Sequence, residues 1–200
     1  MDYEIIIQAF WLIIPAYIAN ASALLFGGGT PIDFGKTCKD GKRVLGDGKT
    51  WRGLFIGSFV GMTGGFGLSV GAKYAAVYDF PLALSDFMGF PFMIPIIFSI
   101  CFGALLGDIV ESYFKRRVGK NRGEDWIPFD QLDFIMGVLI SSFLMSLLLQ
   151  LFGLLSFNWF FTHFTVMHIL VLLIVTPFIH LFANFIHRKT RKQTIAKKSI

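Results

Sequence analysis

Residues 134–157 read FIMGVLISSFLMSLLLQLFGLLSF, 24 positions without a charged side chain. A helix of that length rises about 36 Å, and the hydrocarbon layer of a bilayer is about 30 Å thick. Asp130 and Asp133 stand just before it, three residues apart. Working outward, four more stretches lack Asp, Glu, Lys and Arg: 5–26, 54–72, 87–106 and 164–186. The expectation is an all-α integral membrane bundle of five transmembrane helices. One transmembrane domain over 1–200 is expected, with the loops 27–53 and 107–133 on one side of the membrane.

Composition agrees. Hydrophobic residues make up 54% of the 200 and charged residues 16%, against about 45–50% and 25% in soluble domains. Disorder, collagen and coiled coil are excluded. The first run follows Asp2 and Glu4 rather than a basic segment and is too long for a signal peptide. Cys38 and Cys101 show no metal or disulfide spacing and read as free thiols.

The net charge of +5 acquires meaning from its placement. Seventeen of the 18 Lys and Arg lie in 27–53, 107–133 and the tail after 186. The intervening connections carry Lys73 alone. Cytoplasmic segments of membrane proteins are rich in Lys and Arg, so the N-terminus is expected outside and the C-terminus in the cytoplasm. The basic tail then reads as an orientation signal and a contact for anionic headgroups, not a nucleic-acid arm.

Within the second run, Gly53, Gly57, Gly61 and Gly65 recur every fourth residue and form one helical ridge. Such a ridge lets a neighbouring helix approach closely. Pro15 and Asn20 interrupt the first run, and Pro91 and Pro95 lie early in the third. Asn20 either bonds a neighbouring helix or faces a polar cavity. His163 and His168 are five apart and do not form a one-face ligand pair.

Nine of the 13 acids lie in the two basic connections. Asp108 and Glu111 are spaced i, i+3, as are Asp130 and Asp133. Helical residues at that spacing share a face, so two carboxylate pairs end adjacent spans on one side of the membrane. Four carboxylates at a membrane boundary repel one another. They are relieved by hard divalent cations or by salt bridges from Lys115, Arg116 and Arg117. The connection 27–53 adds Gly27–Gly29 and the run Gly46–Gly53, GDGKTWRG. This is either a phosphate-friendly loop or a solvated basic one. The full P-loop pattern fails, because no glycine precedes Gly48-Lys49-Thr50 at the required distance.

Six segments together resemble the archaeal CDP-archaeol synthases. They are Pro15-Ala16, Ala19-Asn20-Ala21, FGGGTPID at 26–33, LGDGKTWRG at 45–53, GDIVESYFKRR at 107–117 and DQLDF at 130–134. These are CTP-dependent membrane enzymes related to the CDP-diacylglycerol synthases. The broader cytidylyltransferase signature is followed only loosely: Ser112, Lys115 and Arg116 match, but Asn121 and Gln131 replace the expected Asp and Arg.

The resemblance implies that the cytidylyl group of CTP is transferred to 2,3-di-O-geranylgeranylglyceryl phosphate, giving CDP-archaeol and pyrophosphate. It implies Mg²⁺ held by Asp108, Glu111, Asp130 and Asp133. Lys36, Lys49 and Arg52 would neutralise pyrophosphate, and Lys115 and Arg116 the lipid phosphate. Asn20, Thr30, Asp33, Asp47 and Thr50 would serve the nucleotide. It places a multi-pass protein in the cell membrane with its site on the cytoplasmic side. The competing readings are a CDP-diacylglycerol synthase acting on ester lipids and a cation transporter. A transporter predicts acids near the span centres, which carry none.

Overall fold

The computed structural model describes residues 3–121, 124 and 126–178. Six helices lie among them: α1 (Tyr3–Phe26), α2 (Trp51–Val77), α3 (Met93–Arg117), α4 (Phe129–Leu151), α5 (Trp159–His163) and α6 (Val166–Phe178). The first four are long and apolar enough to cross a membrane, and they form a multi-pass bundle. Helices dominate because a chain in hydrocarbon must satisfy every backbone N–H and C=O internally.

The helices pack as two close pairs, α1 on α2 and α3 on α4, and the pairs meet through α1–α3 and α2–α3. The glycine ridge of α2 makes the first pair. A Cβ on Gly61 would lie 2.7 Å from the Ala19 methyl and 2.8 Å from the Pro15 carbonyl oxygen. A Cβ on Gly57 would lie 2.8 Å from the Ala19 carbonyl oxygen. The second pair rests on glycines that the sequence reading passed over. A Cβ on Gly103 would sit 2.6 Å from the Gly137 carbonyl oxygen, and one on Gly107 would overlap the Asp133 carbonyl oxygen. The α3 and α4 backbones therefore touch where both carry carboxylates.

Several expected boundaries need correction. The third span begins at Met93, not at 87. Residues 87–89 turn through positive φ, held by Ser85 Oγ and Asp86 Oδ1 accepting from the Phe87 and Met88 amides. Phe87 is fully buried, 6.4 Å from the Trp159 ring, rather than turned to lipid. Pro95 then falls in the first helical turn, where a missing N–H costs nothing. At its other end α3 continues to Arg117, and α4 starts at Phe129. The segment 107–133 is thus mostly helix, with a connection of only 118–128.

The fourth span stops at Leu151 rather than 157, because Gly153 adopts a left-handed φ of 67° and ends the helix. The fifth run is preceded by the short α5, which Asn158 caps by accepting from the Phe160 amide. Its α6 starts at Val166, and the remainder of 164–186 and the basic tail lie outside the described residues. The first loop is 27–50, because Thr50 caps α2 by accepting from the Gly53 amide at 3.1 Å.

Candidate active site

Asp33 organises the first loop. Its carboxylate accepts from the amides of Gly35, Leu45 and Gly46, each at 3.0 Å. It also accepts from Arg43, whose Nη2 lies 2.9 Å from Oδ1. Burial alone would push this carboxyl up, but Arg43 and the three amides hold it well below the usual carboxylate range. A depressed carboxylate stabilises the fold above its unfolded value near 4, and that contribution is lost as pH falls through the folded value. Asp33→Asn leaves Arg43 without its buried partner. It is expected to cost about 2–3 kcal/mol, read as a lower Tm in detergent at pH 7. The gap from wild type should narrow as the pH drops below about 4.

The same loop is fastened to the end of α3. Arg117 Nη1 donates to both Asp40 oxygens at 2.8 Å, and its guanidinium lies 5.3 Å from the Tyr113 ring centre. Arg116 Nε donates to the Leu45 carbonyl at 3.2 Å. Lys42 Nζ donates to the Arg117 carbonyl at 3.2 Å. Of the three cations offered as neutralisers of the acids, only Lys115 does so. The two arginines clamp the loop.

This clamp closes one side of a cavity between α1, α2, α3 and α4. The cavity has two adjoining halves of about 270 and 260 Å³, both bordered by Lys49, Asp108, Asp130 and Asp133. The first half adds the apolar side chains of Ile32, Leu54, Leu105 and Phe134 to these charged groups, with Asn20 and Thr50 among its polar lining. The second half is charged, with Asp47, Glu111, Lys115 and Arg116. Asn20 Oδ1 is buried and lacks a hydrogen-bond partner, so the cavity reading of that residue is favoured over a helix–helix bond.

Asp108, Glu111 and Asp133 each bring a carboxylate oxygen to within 4.8 Å of the other two. Glu111 Oε1 is buried without a hydrogen bond and lies 3.7 Å from Lys115 Nζ. Three hard oxygen donors, one of them unpartnered, are the donor set that a divalent cation such as Mg²⁺ takes. The residues therefore fit a metal. Asp130 departs from the expected set of four: it receives Lys115 Nζ at 2.7 and 2.8 Å and the Trp126 amide at 2.9 Å. Lys49 pairs with Asp108 across the junction of the two halves.

Four candidates lie elsewhere. Asp33 is spent inside the loop, as described. Lys36 is exposed, and its backbone is tied to Asp33 and Val44. Thr30 is exposed and offers its carbonyl to the Trp51 amide. Arg52 is exposed on the first turn of α2. None of the four lines either half of the cavity. Asp47 borders the charged half, but Arg43 Nη1 holds it at 2.7 Å. Gly107 and Gly137, which set the distance between the two acid-bearing helices, were missed. Their signal was small residues facing each other across two runs, visible only once the runs are paired.

Comparisons agree with this architecture. A family model described as "CarS-like: CDP-archaeol synthase" matches residues 2–195. A CDP-archaeol synthase of Methanocorpusculum labreanum is 43% identical over 182 residues, covering 86% of this chain and 93% of its own. One from Thermococcus onnurineus is 40% identical over 186 residues, covering 92% and 93%. A solved structure described as an intramembrane enzyme for archaeal membrane lipid biosynthesis superposes with a TM-score of 0.67. It is 32% identical and covers 90% of this chain and 94% of its own. The chain belongs to the CarS-like family of CDP-archaeol synthases.

Proposed function

We propose that the two-part cavity is where this family's reaction takes place in this chain. The protein is a cytidylyltransferase of archaeal lipid synthesis that forms CDP-archaeol in a CTP-dependent reaction. The observation that carries the site assignment is the meeting of Asp108, Glu111 and Asp133 beside Lys49 and Lys115 at the junction of the two cavity halves.

The nucleophile is a phosphate oxygen of the lipid, 2,3-di-O-geranylgeranylglyceryl phosphate. It bonds to the α-phosphorus of CTP, the bond from that phosphorus to the bridging oxygen breaks, and pyrophosphate leaves. A phosphate oxygen is already ionised at neutral pH, so no general base is required. That accounts for a cavity lined by neither histidine nor a nucleophilic cysteine. The work left to the protein is positioning and charge neutralisation.

Asp108, Glu111 and Asp133 would hold Mg²⁺, which neutralises phosphate charge and aligns the two phosphate groups when bound. Asp130 orients Lys115 toward the charged half, where the ammonium meets phosphate. Arg116 keeps the loop seated and borders the same half. Thr50 fixes the first turn of α2, and Asn20 lines the cavity half beside it. Leu24 borders both halves yet is 84% exposed, which gives the rim an apolar flank for isoprenoid tails.

Five spans in one domain over 1–200, with the N-terminus outside, put this cavity at the cytoplasmic face. The Lys and Arg of 27–53 and 107–133 support that side. The test is purified protein in detergent with labelled CTP, Mg²⁺ and either ether-linked or ester-linked lipid phosphate. Pyrophosphate release with the ether lipid is expected. No release with any lipid phosphate would end this reading, and release with ester lipid alone would make the chain a diacylglycerol-type synthase.

A further inference from the structure

Lys49 and Lys115 both face the carboxylates but are held differently. Lys115 is 9% exposed and is gripped by both oxygens of Asp130, with Glu111 at 3.7 Å. The Lys49 side chain is 23% exposed, and its one ion pair among the described residues is with Asp108. The backbone of Lys49 is anchored. Its amide donates to the Gly46 carbonyl at 3.3 Å, its carbonyl accepts from Ile32 at 2.8 Å, and Thr50 beside it caps α2. The four-carbon stem extends from this fixed backbone to the junction of the two cavity halves.

Asp108 is therefore claimed twice. It is one of three carboxylates whose oxygens converge within 4.8 Å, and it is the counter-ion of Lys49. The two ammoniums face four carboxyl groups, so full ionisation of all four would leave two negative charges beyond them, the charge of one divalent cation. A partly exposed lysine–carboxylate pair is weak because water competes for both partners. A divalent ion held by three carboxylates attracts Asp108 with twice the charge at shorter range. A cation seated on Asp108 and the Lys49 ammonium are like charges on one carboxylate, and they repel.

We propose that Lys49 is an exchangeable counter-ion. It holds Asp108 before the divalent cation arrives and surrenders it on metal binding. Its ammonium is thereby freed to bind the polyphosphate beside that cation. This rests on the metal-centre reading above. It implies that metal binding strengthens nucleotide binding, because an ammonium released from Asp108 has more of its donors available for phosphate.

Mn²⁺ affinity measured by electron paramagnetic resonance without nucleotide tests it. Lys49→Met keeps the stem and removes the competitor, so Mn²⁺ is expected to bind about tenfold tighter than in wild type. Merely structural damage would not tighten metal binding. Equal or weaker binding would overturn the exchange, whereas no Mn²⁺ binding by wild type would overturn the metal centre itself. Wild-type protein supplies a second readout that requires no variant. Acetylation of the Lys49 amine, followed by mass spectrometry, is expected to speed up severalfold on adding Mg²⁺. Lys115, gripped by Asp130, is the internal reference. An unchanged Lys49 rate would overturn the proposal.

Discussion

Asp133→Asn is expected to lower pyrophosphate release by about 10³-fold or more while the protein still inserts and purifies. Asp133 stands in the second turn of α4, and its Oδ1 accepts from the Phe134 amide at 2.6 Å. Asparagine retains a carbonyl oxygen for that bond, so the local backbone has no reason to change. What it loses is one negative charge and one oxygen of the group formed with Asp108 and Glu111. Removing a single preorganised electrostatic contact to a transition state costs about 10²–10³ in rate. Removing a metal ligand disturbs every contact that the cation makes.

The sign of the stability change separates this role from a structural one. Three carboxyl groups within 4.8 Å disfavour one another's ionised forms in the metal-free protein. Asp133→Asn should therefore leave the metal-free Tm unchanged or raise it, and should abolish the rise that Mg²⁺ gives the wild type. Near-normal turnover, or a Tm that still climbs with Mg²⁺, would refute the metal role of Asp133.

The second large effect concerns a residue with no chemistry of its own. Gly107→Ala places a methyl against the Asp133 carbonyl oxygen, with the Gly137 Cα 3.2 Å away. Both obstacles are backbone, so neither can rotate aside, and α3 and α4 must separate. The displaced segments carry Asp108 on one helix and Asp133 on the other. A shift of about 1 Å at reacting groups costs about 10²-fold in rate. Overpacking of this kind costs about 1–3 kcal/mol in stability.

The expected result is a loss of activity near 10²-fold with a lower Tm, in protein that still purifies from the membrane fraction. Gly67→Ala is the control, since a Cβ there meets nothing within 4 Å. It should leave turnover unchanged and stability equal or slightly improved, because alanine is the better helix former. If Gly107→Ala matched that control in both readouts, the close crossing would not set the geometry of the site.

Both predictions join what could be read from residue order to what could not. Uncharged length located four long helices, because hydrocarbon admits few alternatives to a helix. The i, i+3 spacing placed Asp108 with Glu111 and Asp130 with Asp133, since short-range helical geometry fixes which side chains share a face. The ridge from Gly53 to Gly65 announced a close helix–helix contact for the same reason, and the fold assigned most of it to α1.

Other matters required the fold. Hydropathy does not distinguish a lipid-facing Phe from one buried against Trp159, so the third span was begun at 87 instead of Met93. Nor does residue order say which acid a given lysine will reach. The approach of the first loop and the α3–α4 crossing assigned Lys115 to Asp130 and Lys49 to Asp108. They left three carboxylates converging in place of four. Asp33 shows the limit most plainly. An acid in a glycine-rich basic loop looks like a ligand for substrate, yet five hydrogen bonds from its own loop and Arg43 consume it. The sequence by itself determined the membrane helices and the residue types gathered at one end of them, because both follow from composition and short-range periodicity. Only the tertiary structure decided which of those residues face one another, because partners separated by 15 to 77 positions meet only when the helices and the first loop pack together.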